Sequence, residues 1–229
     1  MPVAPVTPAG FFYGDFTIDR ARRRLICARE DHTEPTRHEP TNTLVALPMD
    51  GSESAGEVLA SGHDFYSTPR VSPDGSTLAW LAWRHPQMPW DGTELWVADI
   101  AADGSLGTPA RVAGSATESI YQPGWGPDGT LYFVSDRTGW WSLYRWDRSG
   151  RSVPVPVLRE PIAGAEFGRP QWVTGTATWA FAGRSRMVAS YTRRGRWHLA
   201  TIDVEAGTLT NVVTDLQPQE WLAASDAYA

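Results

Sequence analysis

The sequence predicts an all-β fold: a β-propeller of about four blades of antiparallel strands. Three observations predict it. Short runs rich in β-branched and aromatic residues follow one another along the 229 residues, as strands do. The 21 glycines and 18 prolines are spread between those runs rather than pooled in a linker, which places tight turns throughout. The runs also repeat at a nearly constant spacing close to 50 residues, the sequence signature of propeller blades. No segment carries apolar residues at a 3.6-residue period with caps, so no helix is expected.

The repeat is anchored by turns. Ser72-Pro73-Asp74-Gly75 precedes the apolar run from Leu78 to Trp83, and Gly126-Pro127-Asp128-Gly129 precedes Leu131 to Ser135. Proline presets the backbone angle of a tight turn and glycine accepts a positive φ. Matching strands begin at Leu25, Leu78, Leu131 and Met187, spaced by 53, 53 and 56 residues. A later strand follows in each unit: Leu44 to Leu47, Leu95 to Asp99, Leu143 to Asp147 and Leu199 to Asp203. The whole chain, 1–229, is then one partial propeller with blades at about 11–66, 67–120, 121–167 and 168–222. It forms an open arc unless four blades close on themselves. Single blades bury their faces only by stacking on neighbours, so stability must come from the array.

Of the 12 tryptophans, eight fall between Trp80 and Trp146. Trp80, Trp125, Trp172 and Trp179 are expected in strands, packed between blades with their indole N–H groups tied to backbone. Trp90, Trp140 and Trp141 fall in loops or at strand entries, where packing and an aromatic binding surface are equally open. The single cysteine, Cys27, lies in an apolar run and reads as a buried, inert thiol.

Composition narrows the partners. The net charge is −6, and Arg20 to Arg24 is the only arginine-rich block. Phosphate binding needs a concentrated basic surface, so nucleic acid is not expected, and the arginine block reads as a solvated turn. No apolar run reaches the length of a membrane helix, and residues 1–8 do not read as a secretory signal. A soluble, reducing, cytoplasmic setting is expected.

Chemistry is harder to find. The nearest match to the serine-hydrolase elbow G-x-S-x-G is Gly183-Arg184-Ser185-Arg186-Met187, which lacks the second glycine and leads into a strand. The five histidines show no metal-ligand spacing. His32 and His38 lie among Glu30, Asp31, Glu34 and Glu39, which reads as a solvated polar loop rather than a cation site. No nucleotide-binding glycine motif is present, and no catalytic residue, metal or cofactor is expected.

Three segments are more particular than a generic propeller: HPQMPWDGTELW from His85 to Trp96, SDRTGWWSLYR from Ser135 to Arg145, and EFGRPQW from Glu166 to Trp172. Together with REDH at Arg29 to His32 and GHDFY at Gly62 to Tyr66, they resemble the propeller of the prolyl oligopeptidase family of serine peptidases. The likeness is nearest to its acylaminoacyl-peptidase and dipeptidyl-aminopeptidase-like branch, and it runs from about Pro8 to Leu222. The resemblance implies an N-terminal propeller that caps an α/β-hydrolase domain and limits entry to short peptides. It also implies that further blades and the entire hydrolase, with its Ser, Asp and His, are missing from this chain.

By that resemblance Glu30, His32, His85, Trp90, Asp136, Arg137, Trp140, Trp141 and Glu166 are the candidate substrate-binding residues. Glu30 and Glu166 are the carboxylates placed to meet a peptide amine. Gln87 and Ser142 stand where the family pattern has Asn, so no amide contact is carried over to those sites. The partners implied are short peptides and a hydrolase domain, and exposed blade edges would let copies associate. Two other functions compete: an autonomous propeller that binds proteins or peptides, and, resting only on exposed tryptophan, a propeller glycosidase or lectin.

Overall fold

The computed structural model describes residues 7–34, 36, 38–150, 153–216 and 221–225. Every regular element among them is a β-strand. The first sheet is β1 (Phe11–Asp19), β2 (Arg24–Asp31), β3 (Thr41–Pro48) and β4 (Glu57–Ala60), hydrogen-bonded in chain order. The second is β5 (Phe65–Val71), β6 (Thr77–Trp83), β7 (Glu94–Asp99) and β8 (Ala110–Gly114). The third is β9 (Ile120–Trp125), β10 (Leu131–Ser135), β11 (Ser142–Trp146) and β12 (Val155–Pro156).

The fourth sheet has a divided inner edge. β13 (Ala165–Glu166) and β14 (Trp179–Phe181) both pair with β15 (Arg186–Arg193), followed by β16 (Arg196–Asp203) and β17 (Thr208–Val212). Residues 167–178 therefore leave the sheet as a loop before the edge resumes. All pairings are antiparallel, and each sheet is a propeller blade in the order the repeat requires.

The second strand of each sheet shows why the repeat reads as unbroken apolar runs. In β6, Leu78, Trp80 and Ala82 pack against the first sheet, while Ala79 and Leu81 pack toward the third. In β10, Leu131 and Phe133 face the second sheet, while Tyr132 and Val134 face the fourth. A strand buried on both faces has no polar alternation to display. These shared cores weld consecutive blades, as array stability demands. The outer face of the first sheet carries its own small cluster, Cys27, Val45 and Leu47. There Tyr13 Oη and Arg29 Nη1 both donate to the Ala55 carbonyl, at 3.1 and 2.9 Å, tying the β3–β4 connection to that face.

The innermost strands share a device that no turn motif announced. Asp15, Thr68 and Gln122 sit at β-bulges of β1, β5 and β9 with φ of 57°, 53° and 47°. Left-handed backbone is uncommon outside glycine, so its recurrence at one place in three blades marks a structural requirement. Asp15 Oδ2 accepts the Thr68 amide at 2.5 Å, which links the bulge of the first blade to that of the second.

Two sequence expectations are corrected. Arg24 is buried and Arg22 half-buried, so the arginine block is not simply a solvated turn. Arg22 donates to the carbonyls of Gly75, Ile100 and Ala101, and Arg24 to that of Gly104, with buried Asp19 balancing both guanidinium groups. The block is a lock between the first two blades. Trp172 lies in the 167–178 loop, 71% exposed, rather than packed in a strand. Trp80 and Trp179 are buried as expected, and the Trp125 indole donates to the Arg70 carbonyl at 2.9 Å. The Trp179 indole nitrogen, by contrast, has no hydrogen-bond partner among the described residues.

Candidate functional site

Hairpin order puts the β2–β3, β6–β7, β10–β11 and β15–β16 turns at one end of the blades, with the crossings from each blade to the next. Bonds between loops confirm the shared rim. Asp64 ties to the β6–β7 loop through the His85 amide at 2.9 Å, and Ser119 ties to the β10–β11 loop through Asp136 Oδ1 at 2.8 Å. The nine nominated residues all lie along this rim: Glu30, His32 and His85 in one group, Asp136 and Arg137 in a second, and Trp90, Trp140, Trp141 and Glu166 outside both.

The first group is a cleft of about 510 Å³ between the first and second blades, lined by Glu30, His32, Glu39, Asn42, His63, Asp64, Phe65 and His85. Three imidazoles each meet a carboxylate: His32 Nε2 lies 3.1 Å from Glu30, His63 Nε2 3.1 Å from Glu94, and His85 Nε2 3.2 Å from Glu39. Phe12 and Phe65 pack edge-on against the His32 and His85 rings. Glu30, Glu39 and Asp64 give the wall three carboxylates, which suit a ligand ammonium. Among the described residues no group of three or more His, Cys, Asp and Glu has metal-holding geometry. Asn42, His63 and Glu94 were not nominated, although His63 and Asp64 lie inside the GHDFY segment. Their signal was present there, but not their convergence with Glu30.

The second group joins Asp136 and Arg137 to Glu118, which sequence reasoning missed. Glu118 Oε1 accepts Arg137 Nη2 at 2.8 Å, Arg137 Nε at 2.9 Å and Ser135 Oγ at 2.7 Å. The Arg137 guanidinium also covers the Tyr144 ring at 4.6 Å. Burial raises the Asp136 carboxyl above the usual carboxylate range, and the Glu118 charge adds to the shift. The neighbouring β6–β7 loop is fixed here too, because the Pro89 carbonyl accepts Ser119 Oγ at 2.6 Å.

The tryptophans divide. Trp141 packs, in edge contact with Tyr121, and its carbonyl accepts the Phe167 amide at 2.7 Å. A Cβ on Gly168 would fall 2.6 Å from the Trp141 ring, so that glycine permits the close approach. Trp140 is half exposed and walls an apolar cavity of about 230 Å³ with Tyr144, Pro156, Ile162 and Phe167. Trp90 meets Trp172 with ring centroids 4.1 Å apart. Glu166 is half-buried on β13, paired with Thr192 in the fourth blade. Glu30 belongs to the first blade, so the two nominated carboxylates do not share one wall.

Fold and rim define a propeller segment that presents carboxylate, imidazole and aromatic groups along one end. No family model matches the chain, and no curated protein matches it. Solved structures do. A puromycin hydrolase is 32% identical with a TM-score of 0.83, over 93% of this chain and 33% of its own. A puromycin-hydrolyzing peptidase from Mycobacterium tuberculosis is 34% identical with a TM-score of 0.84, over 96% of this chain and 34% of its own. Prolyl oligopeptidase B from Galerina marginata, 14% identical with a TM-score of 0.70, shares the fold over 91% of this chain and 28% of its own. The chain is homologous to the propeller part of prolyl oligopeptidase family peptidases. It spans about a third of the length of the structures it matches. Among the described residues no helix is long and apolar enough to cross a membrane.

Proposed function

We propose that the chain is the non-catalytic propeller part of a prolyl oligopeptidase family serine peptidase, working in the cytoplasm. Its rim admits and orients short peptides for an α/β-hydrolase domain that this chain does not contain. The observation that supports this reading is the gathering of nine residues, named from the family resemblance, on one end of the blades. Groups that meet substrate belong on a common face, and the other end carries mainly turns and inter-blade locks. The carboxylates of the cleft at Glu30, His32 and His85 offer the peptide amine a counter-charge, in contacts that solvent screens because Glu30, His32, Glu39 and His85 are exposed.

The purified chain, assayed with aminoacyl and acylaminoacyl chromogenic substrates, is expected to show no turnover. Turnover that follows the chain through purification overturns the reading. Supplied with a hydrolase domain, the assembly should cleave short peptides and spare folded proteins. Equal cleavage of both overturns the gating role. Glu30→Gln should weaken peptides with a free amine and leave N-acetylated ones unchanged.

A further inference from the structure

Among the described residues four buried side-chain polar atoms lack a hydrogen-bond partner, and two of the four sit together: Arg29 Nε and Thr43 Oγ1. Arg29 on β2 and Thr43 on β3 are directly opposite in the strand register, so their side chains leave the same face of the first sheet as neighbours. That face is turned away from the second blade and carries Cys27, Val45 and Leu47. Arg29 is 8% exposed and Thr43 4%.

The Arg29 guanidinium is held in place. It covers the Phe11 ring at 4.9 Å, and Nη1 donates to the Ala55 carbonyl at 2.9 Å. The same carbonyl accepts the Tyr13 hydroxyl at 3.1 Å, which fixes the acceptor as well. That bond uses one nitrogen. The edge of the fork formed by Nε and Nη2 is left without a partner among the described residues.

A counter-charge is missing too. Arg29 enters no ion pair among the described residues. Asp31, two residues along on the same face, is bonded to the Thr33 amide at 2.9 Å and the Thr33 hydroxyl at 2.6 Å. The Phe11 ring attracts the cation without neutralising it. A guanidinium cannot shed its proton to escape burial, and a buried charge left unpaired is costly. A water molecule would meet the two hydrogen-bonding atoms but not the charge. A carboxylate meets both, with its oxygens on Nε and Nη2 in the two-pronged geometry guanidinium groups favour and the Thr43 hydroxyl donating to one of them.

We propose that Arg29 and Thr43 form a carboxylate-binding site on the outer face of the first blade. Its ligand is a carboxylate ion from solution or the side-chain carboxylate of an aspartate or glutamate packed on that face. The site is separate from the rim cleft, because the adjacent Glu30 leaves the opposite face of β2. It therefore does not rest on the substrate reading.

The test is an NMR titration of the isotope-labelled 229-residue chain with sodium acetate, at constant ionic strength against sodium chloride, following the Arg29 Nε–H resonance. Acetate should shift it saturably with a Kd of about 10 mM or tighter, and chloride should not. Acetate should also raise the thermal midpoint relative to chloride. Arg29→Lys, which keeps the charge but not the fork, should weaken acetate about tenfold in that thermal measurement. Arg29→Met should abolish the acetate response. Thr43→Val keeps the shape, serves where the Arg29 variants do not fold, and should weaken acetate about threefold. N-acetylaspartamide separates the two sources: binding of acetate alone marks a free ion, and binding of both marks a side-chain carboxylate. No saturable shift, an equal shift in chloride, an acetate response that survives Arg29→Met, or one unchanged in Thr43→Val overturns the site.

Discussion

The Gln122 carboxamide clamps the backbone of the next blade beside Thr178: Oε1 accepts the Thr178 amide at 2.7 Å, and Nε2 donates to the Trp179 carbonyl at 2.7 Å. The clamp sits where the inner edge of the fourth blade resumes after its loop. Gln122→Ala strips partners from two backbone groups and should cost about 2 kcal/mol. Urea unfolding of the purified variant checks this, and an unchanged midpoint would show that the clamp is dispensable.

Asp19 is fully buried between Arg24 Nε at 3.0 Å and Arg22 Nη1 at 3.3 Å. Removing the carboxylate leaves the buried Arg24 and half-buried Arg22 guanidinium groups without their counter-charge at the first blade boundary. Asp19→Ala should destabilise by about 3 kcal/mol, as breaking buried ion pairs does. Asp19→Asn, which keeps an acceptor, should lose less. A loss in Asp19→Ala no greater than that of an exposed aspartate such as Asp103 would argue that the lock carries no load.

Asp136 predicts a pH dependence. Its folded pKa is raised by burial and by Glu118, so the folded state favours the protonated acid. Its contribution to stability is therefore greatest below the unfolded carboxylate value, about 3.9, and declines as pH rises through the raised folded value. Asp136→Asn should be more stable than the wild type at pH 7 and level with it near pH 3. Thermal midpoints across that range decide it, and a variant less stable at pH 7 contradicts the sign.

Burial in β2 pushes the Cys27 thiol up to about 12. The neutral thiol is favoured in the fold, so its contribution to stability is full below the unfolded value, about 8.5, and is lost as pH rises through 12. At pH 8 the native chain should react with iodoacetamide no faster than it unfolds, whereas urea should expose the thiol at once. Rapid labelling of the folded chain would mean that the face carrying Cys27, Val45 and Leu47 opens.

Much of the candidate site was legible because its residues lie in runs of unusual local character. Glu30 and His32 stand in REDH, and Asp136 and Arg137 follow a strand end. His63 and Asp64 were visible in GHDFY but not assigned, because nothing along the chain tells that Gly62 to Tyr66 crosses beside the β2–β3 and β6–β7 loops. Glu118 was missed for the same reason. It reads as an ordinary linker carboxylate until Arg137 and Ser135 are brought to it by the neighbouring hairpin.

The sequence by itself determined that the chain is a series of blades. Strand runs, turn chemistry and the 53-residue spacing are local patterns that repeat, and a strand buried on both faces writes its burial into consecutive residues. Only the tertiary structure decided which blades speak to which side chains: Gln122 to Thr178, Arg22 to the carbonyls of the second blade, Trp90 to Trp172. Those meetings depend on how sheets stack and where loops of irregular length come to rest. That geometry is fixed by packing between units distant in the chain, and no periodicity along it records the outcome.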